Sequence, residues 1–235
     1  MKQSHEKFLT KDKLKENAET WKYDTNVNEK NSGLYAFNRT ESAEENNLNI
    51  IRLHGVSFIK DVIPKLIAGK KKGEKVKILD IGAGAAFFAD EIREAFPDQV
   101  RVFSTGLSKK IAKDYRKKNK LKENQKLHPD DLKWRSILEL SNFEEFDLII
   151  DTFGEYNYGI SESFTKNAAE GRAASYLTAV IKKLKPGGQA SLVSNFNYFW
   201  TVEGKNFLEQ LGEKHNVRIT SPKELPNLLR IEKPK

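Results

Sequence analysis

The sequence predicts an α/β protein, a three-layer sandwich with a mainly parallel sheet covered by helices on both faces. Three observations predict it. Strand-like and helix-like patterns alternate from Val76 onward, as crossover units require. The apolar run Val76 to Ile81 empties into the small-residue turn Gly82-Ala83-Gly84, a strand-turn-helix junction. A chain of 235 residues that is 38% hydrophobic can bury one large core but not two full domains.

Residues 1–47 are polar and Asn-rich, with a turn at Asn31-Ser32-Gly33, and read as a partly ordered N-terminal extension. The α/β domain is expected over 48–235. It opens with Asn49 to Ile67, where apolar residues recur at spacings of three and four, which predicts one amphipathic helix. Lys70-Lys71-Lys72 between Gly69 and Gly73 marks an exposed connection. Seven strands are expected, at Val76 to Ile81, Val100 to Ser104, Leu132 to Ile137, Phe146 to Thr152, Gln189 to Asn195, Val217 to Thr220 and Leu228 to Glu232. Helices fit between them at Ala86 to Phe96, Lys109 to Glu123, Ser163 to Leu184 and Glu203 to Glu213. Lys185-Pro186-Gly187-Gly188 stops the third of these, because proline removes a donor and glycine favours the left-handed turn.

Composition excludes several function classes. No stretch reaches the roughly 18 apolar residues of a membrane helix, and residues 1–20 lack the apolar core of a signal peptide, so a cytoplasmic location is expected. The absence of cysteine removes disulfides, thiolate metal sites and Cys nucleophiles. A formal charge of +8 favours anionic partners without selecting one.

The turn after the first strand carries the chemistry. A dinucleotide fold wants Gly-x-Gly-x-x-Gly, and Phe87 fills its last position, too bulky for close helix and strand packing. The alternative pattern, Asp/Glu-x-Gly-x-Gly-x-Gly, places a carboxylate before the turn. Asp80 supplies it, and Ala86 stands for the last glycine. That carboxylate suits S-adenosylmethionine (SAM), which has an ammonium and a sulfonium but no pyrophosphate.

On these residues the chain resembles the class I SAM-dependent methyltransferases, whose first motif looks like Ile78-Leu79-Asp80-Ile81-Gly82-Ala83-Gly84. Phe146-Asp147-Leu148-Ile149-Ile150-Asp151 is similar to the family's fourth strand, and Ile181 to Gly188 to the turn before its fifth. The resemblance covers Val76 to Lys235 and implies a seven-stranded sheet with the last strand antiparallel. It implies SAM as cofactor, with Asp80, Gly82, Ala83 and Gly84 at its methionyl part, Ser136 and Ile137 flanking the adenine, and Asp151, Thr152 and Phe153 bordering the methyl donor. The family's ribose-binding acid after the second strand is missing. Phe103-Ser104-Thr105-Gly106-Leu107-Ser108 stands there, leaving Thr105 or Ser108 to make a single weaker hydrogen bond.

The acceptor stays open. Asp151-Thr152-Phe153-Gly154-Glu155-Tyr156 departs from the Asn/Asp-Pro-Pro-Tyr/Phe of amino-group methylation of DNA, and cytosine C5 chemistry needs a cysteine. Ser194-Asn195 and Asp151 are too few oxygen ligands for a catechol-type magnesium site, so no metal is expected. Glu155 as base and Tyr156 at the sulfonium are the catalytic candidates, against a plain loop reading. His54 is a catalytic or an ordinary helix residue, and Phe196, Tyr198, Phe199 and Trp200 line an acceptor pocket or fill core. Lys109 to Lys120 forms a basic helix that tracks nucleic acid or is a solvated face. An unidentified small-molecule acceptor is favoured over nucleic acid. A binding protein that keeps the fold without turnover is the alternative.

Overall fold

Val76–Ile81 forms β1, and buried residues at five of its six positions place it in the middle of a sheet. The computed structural model describes residues 50–84, 86–106, 109, 112–113, 116, 127–140, 145–152, 154, 166–194, 201–225 and 227–235. The other strands are β2 (Val100–Ser104), β3 (Phe146–Thr152), β4 (Leu184–Val193), β5 (Arg218–Thr220) and β6 (Leu228–Glu232). They form one mixed sheet in the order β2-β1-β3-β4-β6-β5. The pairs β2·β1, β1·β3 and β3·β4 are parallel, while β6 runs antiparallel to both β4 and β5.

Alternation of side chains across each strand feeds two cores, because successive Cβ atoms point to opposite faces. Leu79, Ile81 and Ile149 join Ala173, Tyr176, Leu177 and Val180 of helix α3 (Lys166–Lys183) and Leu208 and Leu211 of α4 (Val202–His215). Ile78, Leu148 and Ile150 join Ile63 of α1 (Ile63–Ala68) and Phe88, Ala89 and Ile92 of α2 (Phe87–Ala95). Each fully buried Leu or Ile stabilises the fold by about 2 kcal/mol before the entropy of ordering is subtracted.

Six strands form among the described residues where seven were expected. The run Leu132 to Ile137 makes one isolated parallel bridge, Trp134 to Thr105. Leu132 adopts a left-handed backbone (φ 48), and Ser136 caps a 3-10 turn at Ile137–Glu139, so the extended run is interrupted at both ends. The N-terminal helix also divides. Residues 50–54 are helical, Gly55 breaks the run at φ 66, and Ser57 restarts it as a wide π turn, Phe58–Val62, that continues into α1. The Ser57 hydroxyl accepts from the Lys60 N–H (3.1 Å), and the Ser57 N–H donates back to Asp61 (3.0 Å), a reciprocal cap.

The Pro-Gly-Gly stop operates differently from a simple loop. The helix ends at Lys183, Leu184 already pairs with Phe146, and the register resumes at Leu148 with Gln189. Residues 185–188 are therefore absorbed as an irregularity inside β4.

Candidate functional site

In a parallel sheet, ligands bind outside the carboxyl ends of the strands at the point where the chain reverses its winding direction. Here β1 is flanked by β2 on one side and β3 on the other, so that point lies between the ends of β1 and β3. The glycine turn and residues 151–154 both lie there.

The turn is left-handed at alternate residues: Gly82 at φ 65, Gly84 at φ 55 and Ala86 at φ 60. Glycine adopts this conformation freely, whereas the Ala86 Cβ makes it cost about 1 kcal/mol. Thr105 staples the turn from β2. Its Oγ1 accepts from the Gly82 N–H (3.1 Å), its carbonyl accepts from the Ala83 N–H (3.0 Å), and its own N–H donates to the Asp80 carbonyl (3.0 Å). Just past β3, Gly154 packs so closely that a Cβ would lie 2.7 Å from the Ile81 carbonyl oxygen and 2.9 Å from the Gly82 Cα. Only glycine fits at that contact.

Asp80 and Asp151 mark the crevice. Asp151 is fully buried and satisfied: Oδ1 accepts from the Gly154 N–H (2.7 Å) and Oδ2 from the Tyr176 hydroxyl (2.7 Å). Asp80 is only 5% exposed, and no hydrogen-bond donor reaches its carboxyl group among the described residues. Burial, then the nearby carboxylates of Asp151 and Asp131, push it up to about 8 against the opposing pull of Arg93. Arg93 is itself committed to Asp131 (2.6 and 3.2 Å), Asp90 (3.3 Å) and the Val102 carbonyl (2.8 Å). Arg116 completes this network through Asp90 (2.9 Å) and lies 5.1 Å above the Phe87 ring. The place a dinucleotide fold keeps open with glycine is thus filled.

Thr152 accompanies Asp151 at the end of β3 and contacts His54. The His54 ring bridges Thr152 Oγ1 through Nε2 (2.8 Å) and Ser191 Oγ through Nδ1 (2.7 Å), with its edge against Phe58. Burial, then the charge of Arg230, holds this imidazole down to about 3, so it is neutral at physiological pH. A ring with both nitrogens engaged and no exposure is a clasp between the N-terminal segment and β3 and β4. Sequence spacing gave no signal for it, because its partners lie 98 and 137 residues away.

The structure thus brings Asp80, Gly82, Ala83, Gly84, Thr105, Asp151 and Thr152 together at the carboxyl ends of β1 and β3. Ser136 stands at the 3-10 turn, where its hydroxyl accepts from the Leu138 N–H (3.0 Å), and the Ile137 side chain is buried in the core with α3. Phe153, Glu155, Tyr156, Ser108 and the aromatic run 196–200 lie outside the described residues, as does most of Lys109 to Lys120. Among the described residues no group of His, Asp and Glu is arranged to hold a metal ion, and no helix is long and apolar enough to cross a membrane.

No protein-family model and no curated protein matches the sequence. Solved structures do align with it. A SAM-dependent methyltransferase from Clostridium acetobutylicum is 13% identical with a TM-score of 0.48, covering 76% of this chain and 91% of the other. The N-methyltransferase NodS from Bradyrhizobium japonicum is 17% identical with a TM-score of 0.46, covering 82% and 96%. DesVI from Streptomyces venezuelae is 11% identical with a TM-score of 0.45, covering 83% and 100%.

Proposed function

We propose that this chain is a class I SAM-dependent methyltransferase that methylates a small-molecule acceptor rather than nucleic acid. One observation carries the reading: a left-handed glycine turn at the reversal point of a parallel sheet, beside the largely buried carboxyl group of Asp80. A carboxyl group at the mouth of such a turn, with no donor on it among the described residues, fits a ligand that brings its own donor. The ammonium of SAM is such a donor. The sheet order, with its antiparallel β6 inserted between β4 and β5, supports the same reading.

The residues present fit the cofactor. Gly82, Ala83 and Gly84 would lie against its methionyl part, Asp80 would accept from its ammonium, and Asp151 and Thr152 would border the reacting end. Ser136, Ile137 and Phe153 complete the proposed set. SAM would supply an electrophilic methyl group on a sulfonium. The chain's own contribution is alignment and exclusion of water, which for a displacement of this kind supplies most of the rate. Thr105 anchors the turn, Gly154 lets the end of β3 approach it, and Glu155 and Tyr156 are the proposed base and cation-facing ring. Residues 48–235 form the proposed catalytic domain, with 1–47 as an extension.

Isothermal titration tests the reading. Heat with both SAM and S-adenosylhomocysteine is the expected result, and no heat with either at high concentration would sink it. A second reading, cofactor binding without turnover, is favoured by one observation: β2 ends at Ser104 and is followed by Thr105-Gly106, with no acid. It predicts binding of both ligands with no consumption of SAM across small-molecule acceptors.

A further inference from the structure

Resting on the cofactor reading above, we propose that Thr152 donates a hydrogen bond to the methyl acceptor, oriented by the one tautomer of His54 that the buried Ser191 allows, and that this acceptor presents an oxyanion there rather than an ammonium. The end of β3 is held from both faces of the sheet. Asp151 points to α3, where the Tyr176 hydroxyl donates to its Oδ2 (2.7 Å). Thr152 follows it and points to the opposite face with Ile150, where the N-terminal helical segment brings His54. Ser191 lies on that same face, since it pairs in register with Ile150 of β3 and with Arg230 of β6.

The direction of each bond follows from where the protons can go. His54 and Ser191 are both buried, and a buried hydroxyl proton needs an acceptor. Among the described residues, the acceptor that reaches Ser191 Oγ is His54 Nδ1 (2.7 Å). Ser191 therefore donates and Nδ1 accepts, which leaves Nδ1 without a proton. Burial, then the positive charge of Arg230, keeps the ring neutral, and the Arg230 guanidinium itself donates to the His54 carbonyl (3.2 Å). A neutral imidazole carries one N–H. It stands on Nε2, which donates to Thr152 Oγ1 (2.8 Å).

Thr152 is thereby left with its own O–H to give. The residue is half-buried rather than enclosed, and among the described residues its hydroxyl meets His54 alone. In the opposite tautomer Thr152 would spend its proton on Nε2 and could only accept. A sulfonium beside it is no partner for this O–H, because both ends of such a contact are positive. An oxygen lone pair on the methyl acceptor is a partner, and a carboxylate or phenolate oxygen gives the stronger bond. An ammonium has no lone pair for it. His54 acts through Thr152 and is a positioning residue, while Thr152 touches the ligand.

Two measurements on the full chain test the inference. Nitrogen-15 NMR of the ligand-free protein at pH 7, with histidine labelled and His54 identified by its ring contact with Phe58, is expected to show a proton on Nε2 and none on Nδ1. A proton on Nδ1, or on both nitrogens, overturns the proposal. NMR titration of the protein saturated with S-adenosylhomocysteine then compares benzoate with benzylamine. Thr152→Val is expected to weaken benzoate about tenfold and to leave benzylamine unchanged, while Thr152→Ser keeps the wild-type preference. Benzoate that fails to bind the wild type, or that binds Thr152→Val as tightly, overturns the proposal. So does an equal loss for benzylamine, the result that a merely structural hydroxyl would give. Failure of S-adenosylhomocysteine to bind, with the proton on Nε2, would overturn the cofactor reading instead.

Discussion

The two ends of the parallel sheet treat their aspartates oppositely. At the amino end, Asp147 on β3 accepts from the Lys77 N–H (2.8 Å), Lys70 (2.7 Å) and Lys185 (3.3 Å), so its charge is met from three directions. At the carboxyl end, Asp80 on β1 is equally buried and met by none of the described residues. Both sit on central strands of one sheet, so the difference lies in what surrounds them. Satisfaction of Asp147 ties β3 to β1 and to the start of β4. Asp80, with no such ties among the described residues, is the acid that the proposed cofactor reading places at a ligand.

The comparison can be broken first at His54, which lies at the carboxyl end but is satisfied like Asp147. His54→Ala is expected to destabilise the protein by about 3–4 kcal/mol, from the cavity and from two hydroxyls left without their partner. Urea unfolding would show the shift in midpoint, and a loss below about 1 kcal/mol would remove the clasp from the account. Asp147→Ala should follow, at about 2 kcal/mol, since its lysines are partly exposed and recover water. Its affinity for S-adenosylhomocysteine should stay within twofold wherever the variant is folded, because the residue is at the opposite edge.

Asp80→Asn sharpens the contrast, because it should stabilise. Asp80 is raised above its ordinary 3.8 in the fold, so the folded state holds the extra proton between about pH 4 and 8. Its contribution to stability therefore falls as pH rises through that window and is flat above it. Thermal melts should show the variant gaining on the wild type from pH 5 to pH 8, by roughly 3–4 kcal/mol or about 10 °C. A constant difference across that range would refute it. His54 works in the other direction: held at about 3, below its ordinary 6.5, it contributes fully above pH 6.5, and that contribution is lost as pH falls toward 3. The smallest effect is expected at Thr105→Val, where the Gly82 N–H loses its acceptor but can turn to water. About 1 kcal/mol of stability and a severalfold loss of ligand affinity should be seen together in melts and calorimetry.

Much of the fold was legible because it is written in local patterns. Strands at Val76–Ile81, Val100–Ser104 and Phe146–Thr152 stand where alternation of apolar runs with turns put them, and α2 and α4 are displaced by no more than two residues. The run at Leu132 looked like a strand by the same measure. It is not one, because a left-handed backbone is decided by the contact of Leu132 with Gly106 and by the Ser104 hydroxyl, 28 residues away. The single helix expected over Asn49 to Ile67 divides for a comparable reason. Gly55 takes a positive φ beside Leu225, whose side chain occupies the space a Cβ would need, and apolar periodicity cannot register that neighbour.

By itself, then, the sequence determined the alternation of strands and helices, the glycine turn, and an acid next to it, all of which follow from residues close together in the chain. Only the tertiary structure decided which acids find donors. Asp80, Asp131, Asp147 and Asp151 are alike on paper, and each carries the same charge and the same acceptors. Their partners come from α2, α3, β1 and the start of β4, so the distinction between a structural carboxylate and a waiting one exists only once those elements have packed.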